Sequence, residues 1–266
     1  MNYQLLDSGN GQKLEKFGEY TLLRPCPQAV WKPLLKGVEH DAVFTREERW
    51  HFKKKLPKSW ETTHGGVKFK IAPTDFGHLG LFPEHADLWE GMRPLIRKGC
   101  RVLNLFAYSG GVTMAAAQEG AEVCHLDASK GMVDWARENG ALNGLGSAPI
   151  RWIVDDALKF LGREKRRGSL YDGIILDPPT FGRGSKGEVF KIERDIMPLL
   201  ESCSELLSQK PLFVIFSCHT PGFTPLAMRH LMGQTMPKGH IEVGEMALHS
   251  PETMAIPSGS FAKWTP

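Results

Sequence analysis

RVLNLFAYSGG, residues 101–111, decides the fold. Val102, Leu103, Leu105 and Phe106 form an apolar run that opens into the paired glycines Gly110 and Gly111, and residues 112–119 then take up helical composition. This is the pattern of a buried strand feeding a tight turn and a helix. The same alternation repeats downstream. Strands are expected over 121–127, 150–154, 171–176 and 212–216, and helices over 130–143, 157–166, 189–207 and 224–236. A further helix, 84–97, precedes the series. Strands and helices in strict succession imply a doubly wound α/β domain with a mostly parallel sheet. Segments 241–248 and 259–264 break the rule, because both read as strands and only 249–258 lies between them. That connection is too short for a helical crossover, so the two should pair antiparallel at a sheet edge.

Residues 1–83 have a different texture. Short apolar or alternating stretches at 20–23, 67–71 and 79–82 are separated by turn-forming pieces such as Asp7-Ser-Gly-Asn-Gly and Arg24-Pro-Cys-Pro. This suits a small β-rich N-terminal module, 1–83, ahead of the α/β domain, 84–266.

A chain of 266 residues holds one large domain or one domain plus a small one. No apolar run approaches the roughly 18 residues of a membrane span, and the first residues lack a secretory leader, so a cytoplasmic location with no membrane partner is expected. The five cysteines, Cys26, Cys100, Cys124, Cys203 and Cys218, are dispersed without CxxC spacing. They imply neither a disulfide framework nor a metal site. Thirty-three Lys and Arg against 30 Asp and Glu leave a net charge of +3, too mild to dictate an anionic partner. Two local clusters stand out: Lys53, Lys54, Lys55 and Lys58 among Trp50, His51, Phe52 and Trp60, and Arg163 with Lys165, Arg166 and Arg167. Each reads first as a solvated face and second as an RNA-facing patch.

In an open parallel sheet, ligands sit beyond the carboxyl ends of the strands. Those ends carry Asn104 to Gly111, then Asp127, then Asp155-Asp156-Ala157, then Asp177-Pro-Pro-Thr-Phe181. Paired glycines let backbone approach a ligand closely, and a carboxylate at Asp127, 16 residues after Gly111, is placed to accept ribose hydroxyls. A nicotinamide dehydrogenase would share these two features but needs GxGxxG to seat a pyrophosphate, which this turn lacks. A cofactor without phosphates fits better.

With NLFAYSGG, Asp127, VDDAL and DPPTF in this order and spacing, residues 77–266 resemble the class I S-adenosylmethionine-dependent methyltransferases, which have a Rossmann-like sheet. Within them the chain is similar to the large-subunit ribosomal RNA methyltransferases that modify cytosine C5 or guanine. The resemblance implies S-adenosyl-L-methionine as cofactor and RNA as substrate. It implies that Asn104, Phe106, Tyr108, Ser109, Gly110 and Gly111 hold the methionine part, that Asp127 and Ala128 hold the ribose, and that Asp156 and Ala157 read the adenine. Asp177 and Pro178 would line the opening to the acceptor, and Gly80-Leu-Phe-Pro-Glu-His, with Phe82 and Glu84, resembles a segment that closes over the cofactor.

Two residues are candidates for the chemistry. Cys218 ends the fifth predicted strand. Carbon 5 of a pyrimidine attacks a methyl group only after a thiolate has added at carbon 6, and His219 beside Cys218 can lower a thiol pKa. Cys218 reads equally well as a small buried residue. Asp177 can instead accept hydrogen bonds from a purine nitrogen and orient its lone pair. Beyond Pro179, Phe181 can stack on a base, while Arg183 and Lys186 in a glycine-rich loop can meet phosphates. A protein or small-molecule methyltransferase, and a silent RNA-binding relative, would carry the same cofactor motifs.

Overall fold

The computed structural model describes residues 2–184 and 187–266. The chain divides into two compact units, Met1–Ala86 with Ala247–Ser258, and Asp87–Met246 with Gly259–Pro266. None of the described helices is long and apolar enough to cross a membrane.

The first unit is built on a five-stranded sheet of β1 (Tyr3–Gly9), β2 (Gln12–Phe17), β3 (Tyr20–Pro25), β4 (Ala42–Thr45) and β5 (Arg49–Phe52), in that spatial order. The β3–β4 pair is parallel and the other pairs are antiparallel. A separate hairpin joins β6 (Trp60–His64) to β7 (Val67–Ile71) across Gly65-Gly66. Phe17, Leu22, Ala42, Val67, Phe69 and Ile71 are buried. So is Glu15, which accepts from Tyr3 Oη at 3.0 Å and from Arg24 Nε at 2.8 Å. A buried carboxylate is tolerated when it is paired in this way. The strand expected over 79–82 does not form. Leu79 and Leu81 are buried, but Gly80 takes a left-handed φ of 91° and Pro83 starts a 3-10 turn, Pro83–His85. The alternation there reflects burial without a ladder.

The second unit carries a seven-stranded sheet. Its elements are α1 (Ala86–Met92), β8 (Arg101–Leu105), α2 (Gly111–Gln118), β9 (Glu122–Asp127), α3 (Lys130–Leu142), β10 (Ile150–Val154), α4 (Ala157–Arg167), β11 (Gly173–Leu176), β12 (Phe181–Arg183), β13 (Val189–Lys191), α5 (Ile192–Glu205), β14 (Phe213–Cys218), α6 (Pro225–Thr235), β15 (His240–Leu248) and β16 (Ile256–Thr265). The strand order is β10-β9-β8-β11-β14-β16-β15. The first five strands are parallel, and β16 runs antiparallel to β14. The expected doubly wound sheet with an antiparallel C-terminal pair is the one observed. Strands β11 and β14 are buried at every residue, as parallel strands covered on both faces must be.

Two helices are shorter than the sequence suggested. The 84–97 segment breaks into the Pro83–His85 turn, α1 and a second 3-10 turn, Arg93–Leu95, where Pro94 cannot continue an α-helix. The 189–207 segment begins as β13, which pairs with β12, and turns helical only at Ile192. Both basic clusters are partly neutralised. Arg163 pairs with Asp155, Arg167 with Glu164 and Lys165 with Glu205, and Lys54 pairs with Asp41.

Candidate active site

Strand register alone sets the site of the second unit. Leu126, Leu105, Leu176 and Phe216 lie level across β9, β8, β11 and β14. The next residue of each strand is therefore drawn from one row: Asp127, Phe106, Asp177 and Ser217. The row sits at the ends of β9, β8 and β11 and one residue short of the end of β14, and its side chains and turns form one lip.

The turn after β8 carries backbone strain. Phe106 and Tyr108 have φ of 55° and 49°, left-handed values that a non-glycine residue adopts at a cost of about 1–2 kcal/mol. Asp127 holds this turn in place. Its Oδ2 accepts the Tyr108 N–H at 2.9 Å and its Oδ1 accepts the Ser129 N–H at 2.8 Å. Burial pushes the Asp127 carboxyl above the usual range despite both bonds. The Phe106 ring packs on Phe190 at 5.3 Å. Gly110 has φ of 87°, and a Cβ there would meet Met114 Cε at 3.0 Å and Ala136 Cβ at 3.2 Å. That glycine serves the close approach of α2 and α3 as well as the turn.

Beneath the turn lies a buried polar chain. Asn104 Nδ2 donates to Thr113 Oγ1 at 3.0 Å, and Thr113 Oγ1 lies 2.9 Å from His125 Nδ1. Burial, with Arg137 adding to it, pushes His125 down to about 3, so the ring is neutral. Nε2 has no hydrogen-bond partner among the described residues, and the ring packs 5.0 Å from Trp152. The Asn104 side chain is thus committed to supporting the turn. Ser109 is also buried, and its carbonyl accepts from Asn139 Nδ2 at 2.9 Å.

Asp156 caps α4, accepting the Lys159 N–H at 2.9 Å through one oxygen. Ala157 is the first residue of that helix, so its N–H has no acceptor within it. Asp177 accepts from Ser217 Oγ at 2.8 Å, and His219 Nε2 lies 3.7 Å from the same oxygen. Pro178 is buried and Pro179 exposed. The β12–β13 hairpin then projects Phe181, 49% exposed, with the Arg183 guanidinium 5.7 Å from its ring centre. Lys186 lies outside the described residues. Phe82 and Glu84 belong to the first unit, at the 3-10 turn, where the Phe82 ring meets His78 at 5.4 Å and His85 at 5.9 Å.

Cys218 is 1% exposed and packs in the main core. Its Sγ accepts the Thr220 N–H at 3.4 Å, and burial pushes the thiol above its ordinary value. His219 faces Asp177. The pairing of His219 with Cys218 expected from their adjacency gives way to a Ser217–Asp177–His219 group. Parallel pairing of β11 with β14 sets Asp177 alongside Ser217, a relation that local sequence does not display.

A sequence profile of the S-adenosylmethionine-dependent methyltransferases matches residues 47–236. The chain belongs to that family. Over its whole length it superposes with a TM-score of 0.95 and 40% identity on a SAM-dependent methyltransferase from Agrobacterium tumefaciens, covering 91% of that chain. It is 33% identical over 209 residues to the ribosomal RNA large subunit methyltransferase K/L of Shewanella pealeana, a match spanning 71% of this chain and 29% of the relative. The same-named protein of Shewanella baltica is 38% identical over 149 residues, 55% of this chain and 20% of the relative. The chain thus spans under a third of these two curated relatives. The family's cofactor, S-adenosylmethionine, suits the donors at the lip of this methyltransferase sheet. Asp127 keeps lone pairs for ribose hydroxyls after its two backbone bonds, the second oxygen of Asp156 and the Ala157 N–H match an adenine edge, and the turn after β8 has adjacent glycines in place of the GxGxxG that seats a pyrophosphate.

Proposed function

We propose that this methyltransferase modifies a base in RNA, with ribosomal RNA the favoured substrate and a purine nitrogen the favoured acceptor. The observation that carries the choice of acceptor is the contrast between two neighbours. The Asp177 carboxylate is fixed by Ser217 at the strand end, and the Cys218 thiol is withdrawn into the core. Attack through carbon 5 of a pyrimidine needs an accessible thiolate, and burial works against forming one here. The names of the Shewanella relatives support RNA, as does the exposed Phe181 ring with Arg183 beside the Asp177-Pro-Pro turn.

The bound cofactor supplies a methyl carbon already activated by its sulfonium. The chain's part is alignment, exclusion of water and handling of one proton. Asp127, Asp156, Ala157 and the strained 106–111 backbone hold the nucleoside and its methionine arm. Phe181 offers a face for the target base and Arg183 a charge for its phosphate. Asp177 accepts a hydrogen bond from the acceptor nitrogen, which orients the lone pair that forms the new N–C bond. The displaced N–H proton passes to the carboxylate, with the His219 ring 3.7 Å away to share it.

Nucleoside mass spectrometry of ribosomal RNA incubated with the enzyme and deuterated cofactor tests the reading. A labelled N-methylpurine is the expected product. Label at cytosine C5 would overturn the acceptor, and label absent from RNA but present in protein would overturn the substrate.

A further inference from the structure

The first unit contains a cleft of about 300 Å³ whose lining includes Arg24, Arg46, Arg49, Phe76, His78 and Glu84. Its floor is fixed by charge. Buried Glu15 binds Lys13 Nζ at 3.2 Å and Arg24 Nη2 at 2.7 Å, and Arg24 Nη1 donates to the Gly77 carbonyl at 3.0 Å. That last bond pins the loop that carries Phe76. Trp50 Nε1 donates to the Thr74 carbonyl at 2.7 Å and Arg49 Nη1 to the Asp75 carbonyl at 2.8 Å, so the 46–49 turn is tied to the same loop.

With Lys13 and Arg24 committed to Glu15, two guanidinium groups remain for a ligand. Arg46 is exposed and has no ion-pair partner among the described residues, and Arg49 spends only one nitrogen on Asp75. Arg49 also sits at a φ of 66°, a left-handed value held by a turn bound down at both ends. Phe76 is 75% exposed and has no ring partner among the described residues. A large apolar ring kept in water beside paired guanidinium groups matches how unpaired nucleotides are held, base on an aromatic face and phosphate on arginine. The volume is at the low end of ligand pockets, the scale of one nucleotide. From Arg49 the edge strand β5 leads to exposed Lys53 and Lys55, a track for the neighbouring phosphates.

We infer that this cleft seats one unpaired RNA nucleotide other than the reacting one, its base against Phe76 and its phosphate on Arg46 and Arg49. The inference rests on RNA being the substrate and adds a place where the strand is gripped.

Fluorescence anisotropy of a short labelled single-stranded RNA with the full chain, across a salt series, tests it. Phe76→Ala should weaken binding about tenfold, the loss of one stacked base. Arg46→Gln should weaken it and take about 0.7 off the slope of log K against log salt, one phosphate contact on a single strand. Both residues are exposed, so neither change threatens the fold. Lys36→Gln, an exposed cation of the same unit outside the cleft, should leave affinity and slope unchanged. Wild-type affinity in the Phe76 and Arg46 variants, or an equal loss from Lys36→Gln, would overturn the subsite while labelled methyl in RNA leaves the substrate standing. A wild-type chain that neither binds nor methylates RNA would overturn both.

Discussion

Cys218→Ala separates the two routes to a methylated base. The substitution removes one sulfur from a side chain that is 1% exposed. Deleting a buried group of about that size costs about 0.5–1.5 kcal/mol. The Thr220 N–H also loses its acceptor, in a residue that is itself buried, which adds about 1 kcal/mol. The sum of about 2 kcal/mol corresponds to a fall in Tm of about 4–8 °C for a domain of this size. Transfer of labelled methyl into RNA should stay within about twofold of wild type, since no interaction made only in the transition state is lost. Iodoacetamide at neutral pH should leave the wild-type thiol unmodified, because burial disfavours its thiolate. A variant that melts only a few degrees lower yet transfers no label would refute the reasoning. The thiol would then be the attacking group, and the acceptor a pyrimidine carbon.

Asp177→Asn keeps an oxygen for Ser217, so Tm should hold, while single-turnover transfer should fall by about 10²–10⁴-fold through loss of the proton acceptor. Burial raises the Asp127 carboxyl, and ribose hydroxyls need its ionised form. Cofactor affinity measured by calorimetry should therefore be full above that raised value and decline as pH falls through it, at a pH above the roughly 3.9 of a solvated aspartate. Asp127→Asn should abolish that inflection; its persistence would assign the titration elsewhere. Gly173→Ala sets a methyl 2.4 Å from the Phe213 ring in the centre of the sheet and should lower stability by about 1–3 kcal/mol in a denaturant melt.

The second unit was legible in the sequence because its parallel strands are short, mostly apolar segments set between helical ones. Val102–Leu105 and Ile174–Leu176 need no partner to be recognised. The first unit was harder to read. In β1 a bulge between Leu5 and Asp7 shifts the register, and in β2 the buried side of the ladder includes Glu15, so the alternation that marks a strand is absent from both. Leu79 and Leu81 failed in the opposite direction, alternating without pairing. At the site, Asp127 and Asp177 could be found by asking where strands stop. Ser217 could not, because its role comes from a neighbour 40 residues away in the chain. The relation of His219 to Asp177 was hidden for the same reason, behind the nearer Cys218.

The last ten-residue strand, β16, inserts between β14 and β15 in the sheet. A chain made from its N-terminus forward therefore carries both of those strands with open flanks until β16 emerges. Any truncation before Ile256 would leave a gap inside the sheet and not a trimmed rim. Until β16 has emerged, the nascent polypeptide carries unpaired strand edges in the interior of the future sheet, the places where it is most exposed to self-association.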